Sequence, residues 1–342
     1  MKKNLERNYG LELLRMILCF WVVLFHTLKI TKFSFIINFK RKMFHVPTFF
    51  FISFYFLFPV INGRNVEKRK LRLQRLLIPY FIWPLITWNL NNIIFFIFNK
   101  SRFGRLLTSY ELILQLIFGR LFFVQFWFLF NLLLFTIIFF ILSIIFEINN
   151  FLMITKLLAI LSYFLQYSKY NYIFFDNYPD CISHSVGHFV ETFPLAATAF
   201  ILYFSGILNG LRKTRYSIIF YCSLVIYFIY NYQIFISIEK YGRAYNYNGV
   251  DKNVFSIFSF IGFYLLPFEI SQSKNLKNIS KIVSNYTQGI YSIHTIIQFY
   301  IKYFFNIKGT FQGSIIIYII SYLISFIGAK LCFNTKLKFL FI

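Results

Sequence analysis

Long apolar stretches alternate with short polar clusters along the chain, and about ten of the apolar stretches are long enough to cross a bilayer. A hydrocarbon core of about 30 Å requires roughly 20 predominantly apolar residues in an α-helix. The pattern therefore predicts an all-α fold, a polytopic bundle of about ten transmembrane helices. The predicted spans are 11–29, 44–61, 76–98, 124–147, 152–168, 192–210, 216–238, 254–270, 287–305 and 314–333.

One further apolar stretch, 109–123, lies between the third and fourth predicted spans and contains Glu111 and Arg120. Two charges in so short a segment make a full crossing costly. We therefore predict a short interfacial or re-entrant helix here, which adds no crossing to the topology.

Composition agrees with this prediction and excludes other classes of protein. Of the 342 residues, 58% are hydrophobic and only 13% are charged, whereas a soluble protein has about 25% charged residues. Disordered chains are poor in hydrophobic residues, and the four cysteines are too dispersed for a disulfide scaffold. Because no Gly-, Ser- or Pro-rich linker divides the chain, we predict one integral-membrane domain over residues 1–342, with no fused soluble domain.

The formal net charge of +24 comes from Lys and Arg residues clustered between the apolar stretches. Such clusters suit loops that contact anionic lipid head groups, so we expect membrane lipids, and not nucleic acid, as partners. With ten spans, more of these cations fall on the membrane face that carries the N-terminus than on the opposite face. Cations favour the inside face, so we predict both termini on the inside of a bacterial cytoplasmic membrane. The first outside loop runs against this trend, since it contains Lys29, Lys32, Lys40, Arg41 and Lys42.

Ionisable residues occur in the first predicted span, where their cost makes them informative. The uncharged run from Met16 to Leu28 covers only about 20 Å of helix, so Glu12 and Arg15 lie in the span or at its edge. His26 follows Arg15 by about three helical turns, roughly 16 Å, and lies on the same helix face. Glu12 is one turn before Arg15, close enough to pair with it. The alternative is that Arg15 anchors to lipid phosphate and that His26 is an interfacial residue.

Five short motifs follow in order along the chain. They are the Arg15 and His26 pair, spaced as R-x10-H; HVPTFFFIS at 45–53; a basic segment at 69–80 with Arg72 and Arg75 spaced as R-x2-R; FWFL at 126–129; and GIYSIH at 289–294. Their order within a ten-span frame resembles the membrane acyltransferase family three, the integral-membrane O-acyltransferases that modify cell-surface glycans. The resemblance extends over nearly the whole chain, with Phe54 where the family has glycine.

The resemblance implies transfer of an acyl group, most often acetyl, from cytoplasmic acyl-CoA to a hydroxyl of a cell-surface or exported polysaccharide. It implies His26 as the general base, with an acyl-histidine intermediate as the alternative, and Glu12 as the group that orients Arg15. We expect Arg15, Arg72 and Arg75 to bind the phosphates of acetyl-CoA, whose pantetheine arm is about as long as the rise from Arg15 to His26. The expected acceptor is a glycan or a lipid-linked saccharide, and no metal is expected.

Four of these residues also have a purely structural interpretation. Arg72 and Arg75 belong to a basic cluster between two spans, and such clusters often act only as topology signals. His294, in the ninth predicted span, is either a packing histidine or a member of the site. Trp127 is either a site residue or an aromatic residue of the membrane interface.

The largest predicted outside loop, 169–191, interleaves acidic and aromatic residues. Asp180 and His184 are our candidates there for recognition of the acceptor sugar, and a loop with no binding role is the alternative. A zinc site formed by His184 and His188 with Cys181 or Glu191 is less favoured. The H-x3-H spacing occurs often by chance, and here it lacks the general-base Glu of the H-E-x-x-H motif.

Two other functions remain open from the sequence. A transporter or flippase of lipid-linked saccharides would also need many spans with buried charge, but such proteins commonly contain internal repeats, and we find none. A structural membrane partner in a polysaccharide assembly complex is the other alternative, and it predicts that His26 is dispensable.

Overall fold

The computed structural model describes residues 8–30, 45–63, 65–98, 106–118, 126–167, 180–211, 222, 225, 250–265, 274–305, 310–333 and 335. All regular secondary structure in these residues is α-helical, as the sequence predicts. The helices are α1 (Tyr9–Ile30), α2 (His45–Asn62), α3 (Val66–Phe98), α4 (Ser109–Phe118), α5 (Phe126–Ile145), α6 (Ile148–Tyr167), α7 (Asp180–Phe204), α8 (Ile207–Leu211), α9 (Val250–Leu265), α10 (Lys274–Phe304) and α11 (Phe311–Phe333).

Most of the predicted spans coincide with these helices. The seventh predicted span, 216–238, lies outside the described residues apart from positions 222 and 225. The short helix predicted at 109–123 is present as α4. The sixth predicted span is divided after α7, where Gly206 adopts a φ of +69° that favours glycine and lets the chain turn before α8.

Three helices begin well before the apolar runs that predicted them. Helix α3 begins at Val66, after Asn65, whose side-chain oxygen accepts a hydrogen bond of 3.0 Å from a backbone N–H of the first turn. Helix α10 begins at Lys274 and α7 at Asp180. Hydropathy detects only the apolar part of such a helix, because it does not register polar turns that extend the helix beyond that part. The predicted loop 169–191 is therefore wrong from Asp180 onward.

Three helices of the described residues are long and apolar enough to cross a membrane. They comprise Val66–Phe98, Trp127–Ile145 and Gln312–Phe333. Shorter apolar helices occupy most of the other predicted spans that the structure describes, among them Val46–Asn62 and Phe189–Phe204. The number of ten spans and the inside location of both termini stay predictions.

Helix α11 shows the reversed polarity expected of a lipid-facing helix. Its exposed side chains include Ile319 and Leu323, whereas Ser321 and Ser325 are buried. The Ser325 hydroxyl donates a 2.6 Å hydrogen bond to the Ser321 carbonyl oxygen, so this polar group needs no partner outside the helix. An apolar outer face is favourable only where the surroundings are lipid and not water.

Phenylalanines of α2 form the centre of the packed bundle. Phe51 packs edge-on against Phe260 of α9 at 4.7 Å between ring centroids, and Phe58 packs against Phe200 of α7 at 4.9 Å. Phe54, at the position where the sequence resemblance leads us to expect glycine, is fully buried and lies edge-on to Phe135 of α5 at 5.2 Å. The missing glycine is thus compensated by an aromatic contact that fixes α2 against α5.

Helices α1 and α10 pack side by side and run in the same direction. Arg15, in the second turn of α1, contacts Thr287 near the middle of α10, and Val23 contacts Gln298 farther along both helices. This is the relative direction that the first and ninth spans of a ten-span chain would have. The parallel pairing brings together polar residues that are about 270 positions apart in the sequence.

Candidate active site

A cavity of about 420 Å³ lies between α1, α2, α3, α5, α10 and the end of α11, and three arginines line it. They are Arg15, Arg72 and Arg75, the three residues that the sequence predicts as phosphate ligands. The rest of the lining is mainly apolar and consists of Phe49, Ile52, Ser53, Phe56, Leu76, Phe128, Leu129, Leu132, Thr287, Tyr291 and Phe333. Among the described residues, no Asp or Glu belongs to this lining.

Arg15 is held at the cavity by α10. One of its terminal nitrogens, Nη2, donates a hydrogen bond of 3.0 Å to Oγ1 of Thr287. Thr287 is buried, and its backbone oxygen also lies 4.0 Å from the Cys19 sulfur, one turn along α1 from Arg15. The guanidinium therefore has a defined position at the α1 and α10 contact.

Arg72 projects from α3 toward α2, where its Nη2 donates a 3.3 Å hydrogen bond to the backbone oxygen of Ser53. Its charge also interacts with those of Arg15 and Arg75. Three cations around one partly buried cavity repel each other, and an anion placed among them would relieve that repulsion. The geometry therefore suits a ligand with several negative charges.

Arg69, one turn before Arg72, has a different environment. Its Nη2 donates a 2.9 Å hydrogen bond to the backbone oxygen of Ile61, in the last turn of α2, and its guanidinium lies 5.3 Å from the ring centre of Phe140. A cation at a helix C-terminus and over an aromatic face stabilises the packing of the helices. Arg69 thus joins α3 to α2 and α5 and does not line the cavity.

His26 of α1 and His294 of α10 lie next to each other, with 5.1 Å between their ring centroids and an angle of 56° between the ring planes. His294 is fully buried. Its Nδ1 lies 2.9 Å from the backbone oxygen of Ile290. A carbonyl oxygen can only accept, so this hydrogen bond places the proton of a neutral His294 ring on Nδ1 and leaves Nε2 as an acceptor.

Tyr291 connects the cavity to the two histidines. It lines the cavity, its ring centroid lies 5.1 Å from that of Phe128, and on the other side it lies 6.0 Å from the ring of His294. His26 and His294 thus form a second group next to Tyr291, a lining residue of the arginine cavity.

A family model described as an acyltransferase domain matches residues 8–333. The chain belongs to acyltransferase family three. No curated protein matches it, and no solved structure does. The family membership confirms the resemblance read from the sequence motifs, and it identifies the chain as an acyltransferase. Together with the apolar helices described above, it also identifies an integral membrane protein.

Glu12 and Trp127, two further predicted site residues of this family-three acyltransferase, do not belong to the cavity lining that the described residues form. Glu12 is buried on α1, one turn before Arg15. Trp127 is in the first turn of α5, with its ring 5.5 Å from that of Phe50. Asp180 and His184 fall in the first turns of α7, and their side chains are outside what the structure describes.

In the part of the chain that the structure describes, no group of three His, Cys, Asp or Glu residues could bind a metal ion. The zinc site considered from the sequence is not tested by this observation. The side chains of Cys181, His184 and His188 lie outside that part.

Three residues of the site were not predicted as site residues from the sequence. Thr287, Tyr291 and Gln298 are all buried and lie with His294 on the face of α10 that contacts α1. Their positions relative to Thr287 correspond to i, i+4, i+7 and i+11, which is one face of an α-helix. The first and last of them have the same spacing as Arg15 and His26 on α1. This repeated interval of eleven residues was the sequence signal that could have identified the polar face of α10 as the partner of α1.

Proposed function

We propose that this acyltransferase transfers an acyl group, in the first instance acetyl, from cytoplasmic acyl-CoA to a hydroxyl of a cell-surface or exported polysaccharide. The observation that supports this most is the convergence of Arg15, Arg72 and Arg75 on one cavity. Tyr291 of the same lining lies next to His294, and His294 lies next to His26. A multi-anionic donor would bind at the arginines, and its reactive end would reach the histidine.

The donor is assigned to acyl-CoA because its nucleotide end carries several phosphate charges. Guanidinium groups bind phosphate through paired, charge-assisted hydrogen bonds, which an isolated surface lysine does not provide. The phosphates would lie among the three arginines, and the pantetheine arm would extend past Tyr291 along α1. The rise of roughly 16 Å from Arg15 to His26 matches the length of that arm.

His26 is the general base in this proposal. It takes the proton of the acceptor hydroxyl while the hydroxyl oxygen attacks the thioester carbonyl carbon. A carbon–oxygen bond forms and the carbon–sulfur bond breaks. The leaving sulfur receives the proton from the imidazolium, so the products are the ester and the free thiol of coenzyme A. Glu12, one turn before Arg15, would help to orient the guanidinium.

For the cellular setting we propose a multi-pass protein of a bacterial cytoplasmic membrane, with about ten spans and both termini inside. In that orientation α1 begins on the cytoplasmic side, and Arg15, in its second turn, lies toward the cytoplasm, where acyl-CoA is available. His26 lies deeper, toward the side from which an exported saccharide would arrive.

The test is a transfer assay with membranes that contain the chain, radiolabelled acetyl-CoA and glycan extracted from the surface of the host cells. We expect label in a base-labile ester on carbohydrate, and none when the glycan is omitted or the membranes lack the chain. Absence of label in the complete mixture contradicts the proposal. If the chain also failed to bind acetyl-CoA, transport of a lipid-linked saccharide would be the better explanation.

A further inference from the structure

A buried polar cluster joins α1 to α10 just beyond the two histidines. Nε2 of Gln298 donates hydrogen bonds to the backbone oxygen of Val23 at 2.8 Å and to Oγ1 of Thr27 at 2.7 Å. The Thr27 hydroxyl in turn donates to the same Val23 oxygen at 2.9 Å. Because that oxygen can only accept, the amide orientation of Gln298 is fixed, and its Oε1 is the remaining acceptor.

Two buried acceptor atoms of this region receive no hydrogen bond from the part of the chain that the structure describes. Within the residues that the structure describes, neither Oε1 of Gln298 nor Nε2 of His294 has a hydrogen-bond partner. Both side chains have no exposed surface. Buried acceptors are almost always paired in folded proteins, because leaving one unpaired is costly.

These two atoms differ from other buried acceptors in where they lie. Asn131 of α5 also has an unpartnered oxygen within the described residues, but it is a single group bonded to its own helix. His294 and Gln298 are one turn apart on the α10 face that contacts α1, and His294 is in contact with His26. A ligand for this place needs at least two hydrogen-bond donors, one of them close to the proposed base.

We propose that His294 and Gln298 form the acceptor subsite and take hydrogen bonds from two hydroxyls of a saccharide. Side chains one helical turn apart are about 5–6 Å apart at Cβ, a span that two neighbouring sugar hydroxyls can bridge. The hydroxyl nearer to His294 is the one that His26 deprotonates. The second hydroxyl binds Gln298 and fixes the orientation of the ring. Neither side chain forms or breaks a covalent bond.

This inference rests on the proposed function and names the residues that recognise the acceptor. It explains why the buried polar face of α10 continues beyond His294, where acyl-CoA needs no further hydrogen-bond partner. It also predicts that simple alcohols with one hydroxyl are poor acceptors, since they pair only one of the two atoms.

The test measures the KM for each substrate separately, with radiolabelled acetyl-CoA and the extracted surface glycan. We expect Gln298→Met, which keeps the side-chain length, to raise the KM for glycan about tenfold and to leave the KM for acetyl-CoA unchanged. His294→Phe keeps a ring and loses Nε2, with the same expected effect, and His294→Gln restores an acceptor oxygen and recovers part of the loss. Asn131→Leu, which removes a comparable buried acceptor, should change neither value.

An unchanged KM for glycan in both Gln298→Met and His294→Phe overturns the inference, as does an equal rise in both KM values. The same shift in Asn131→Leu overturns it as well, because the effect would then be one of folding. If Gln298→Met yields no folded protein, Gln298→Asn, which draws the oxygen back by one methylene, takes its place with the same expectation. Absence of transfer by the wild-type chain would instead refute the proposed function itself.

Discussion

The guanidinium of Arg15 donates a hydrogen bond of 3.0 Å to the hydroxyl of Thr287, and this contact positions a cavity cation between α1 and α10. Thr287→Val removes the acceptor and keeps the shape of the side chain. We expect a five- to tenfold rise in the KM for acetyl-CoA, about the effect of one hydrogen bond, with little change in kcat. Steady-state kinetics with varied acetyl-CoA would measure it.

The matched control is Thr136→Val on α5. Thr136 is equally buried, and its hydroxyl donates to the Leu132 carbonyl oxygen of its own helix at 2.6 Å. Its replacement should leave the KM for acetyl-CoA unchanged. Wild-type donor kinetics in Thr287→Val would mean that Arg15 needs no support from α10.

Arg69 and Arg72 lie one turn apart on α3, and we expect Arg72 to support acetyl-CoA binding and Arg69 to support stability. Arg72→Gln should lower the affinity for acetyl-CoA at least tenfold, because a charge-assisted hydrogen bond to phosphate is lost. Arg72→Lys should recover only part of the affinity, since the planar fork is missing. Isothermal titration of the purified protein with acetyl-CoA, repeated at higher salt, would measure the loss and its electrostatic origin.

Arg69→Gln serves as the comparison for that experiment. Its hydrogen bond goes to Ile61 at the end of α2, so we expect a lower melting temperature and an unchanged affinity for acetyl-CoA. Equal losses of affinity in the two variants would show that the basic cluster acts as a whole, against the specific role given to Arg72.

Phe54 is expected to be a stabilising residue even though it departs from the family motif. Phe54→Gly removes a fully buried ring that contacts Phe50 and Phe135. The cavity alone should cost about 3–5 kcal/mol of unfolding free energy, and the glycine about 1 kcal/mol more. Phe164→Gly, at a position 64% exposed, should cost only the helix-propensity part. Similar melting temperatures for the two variants in detergent would contradict this interpretation of the α2 and α5 contact.

A single-turnover experiment distinguishes the two mechanisms left open for His26. If His26 acts only as a base, labelled acetyl-CoA mixed with protein in the absence of glycan should leave no label on the chain. Rapid quenching and peptide analysis by mass spectrometry would measure this. Label recovered on a histidine-containing peptide would replace the base mechanism with the acyl-histidine alternative.

The sequence was sufficient for the helical class and for the positions of most of the described helices. Arg15, Arg72 and Arg75 line one cavity, and their role as phosphate ligands stays a prediction. Apolar length determines where a helix can cross. The R-x10-H and R-x2-R spacings each lie within one helix, so the spacing alone predicts that the two residues lie on the same side of that helix. The starts of α3, α7 and α10 were missed because these helices extend into polar sequence before the apolar run, and apolar length does not record such turns.

The partner of His26 could not be predicted by the same means. His294 was one of several apolar-span residues with two interpretations, and only the parallel packing of α1 and α10 places it 5.1 Å from His26. Gln298 was overlooked for a related reason, since a single amide in an apolar run has no local signature. Such pairings depend on which helices become neighbours, and that is decided by the packing of the whole bundle.

The central claim is that donor binding and acyl transfer use separate groups, the arginine cavity and His26. The most direct measurement compares wild type and His26→Ala, at matched abundance in membranes, for both acetyl-CoA binding and label transfer to glycan. We predict binding within about twofold of wild type and no base-labile label on the glycan, because His26 is needed for proton transfer and not for binding the phosphates. Equal labelling by both proteins would contradict the account.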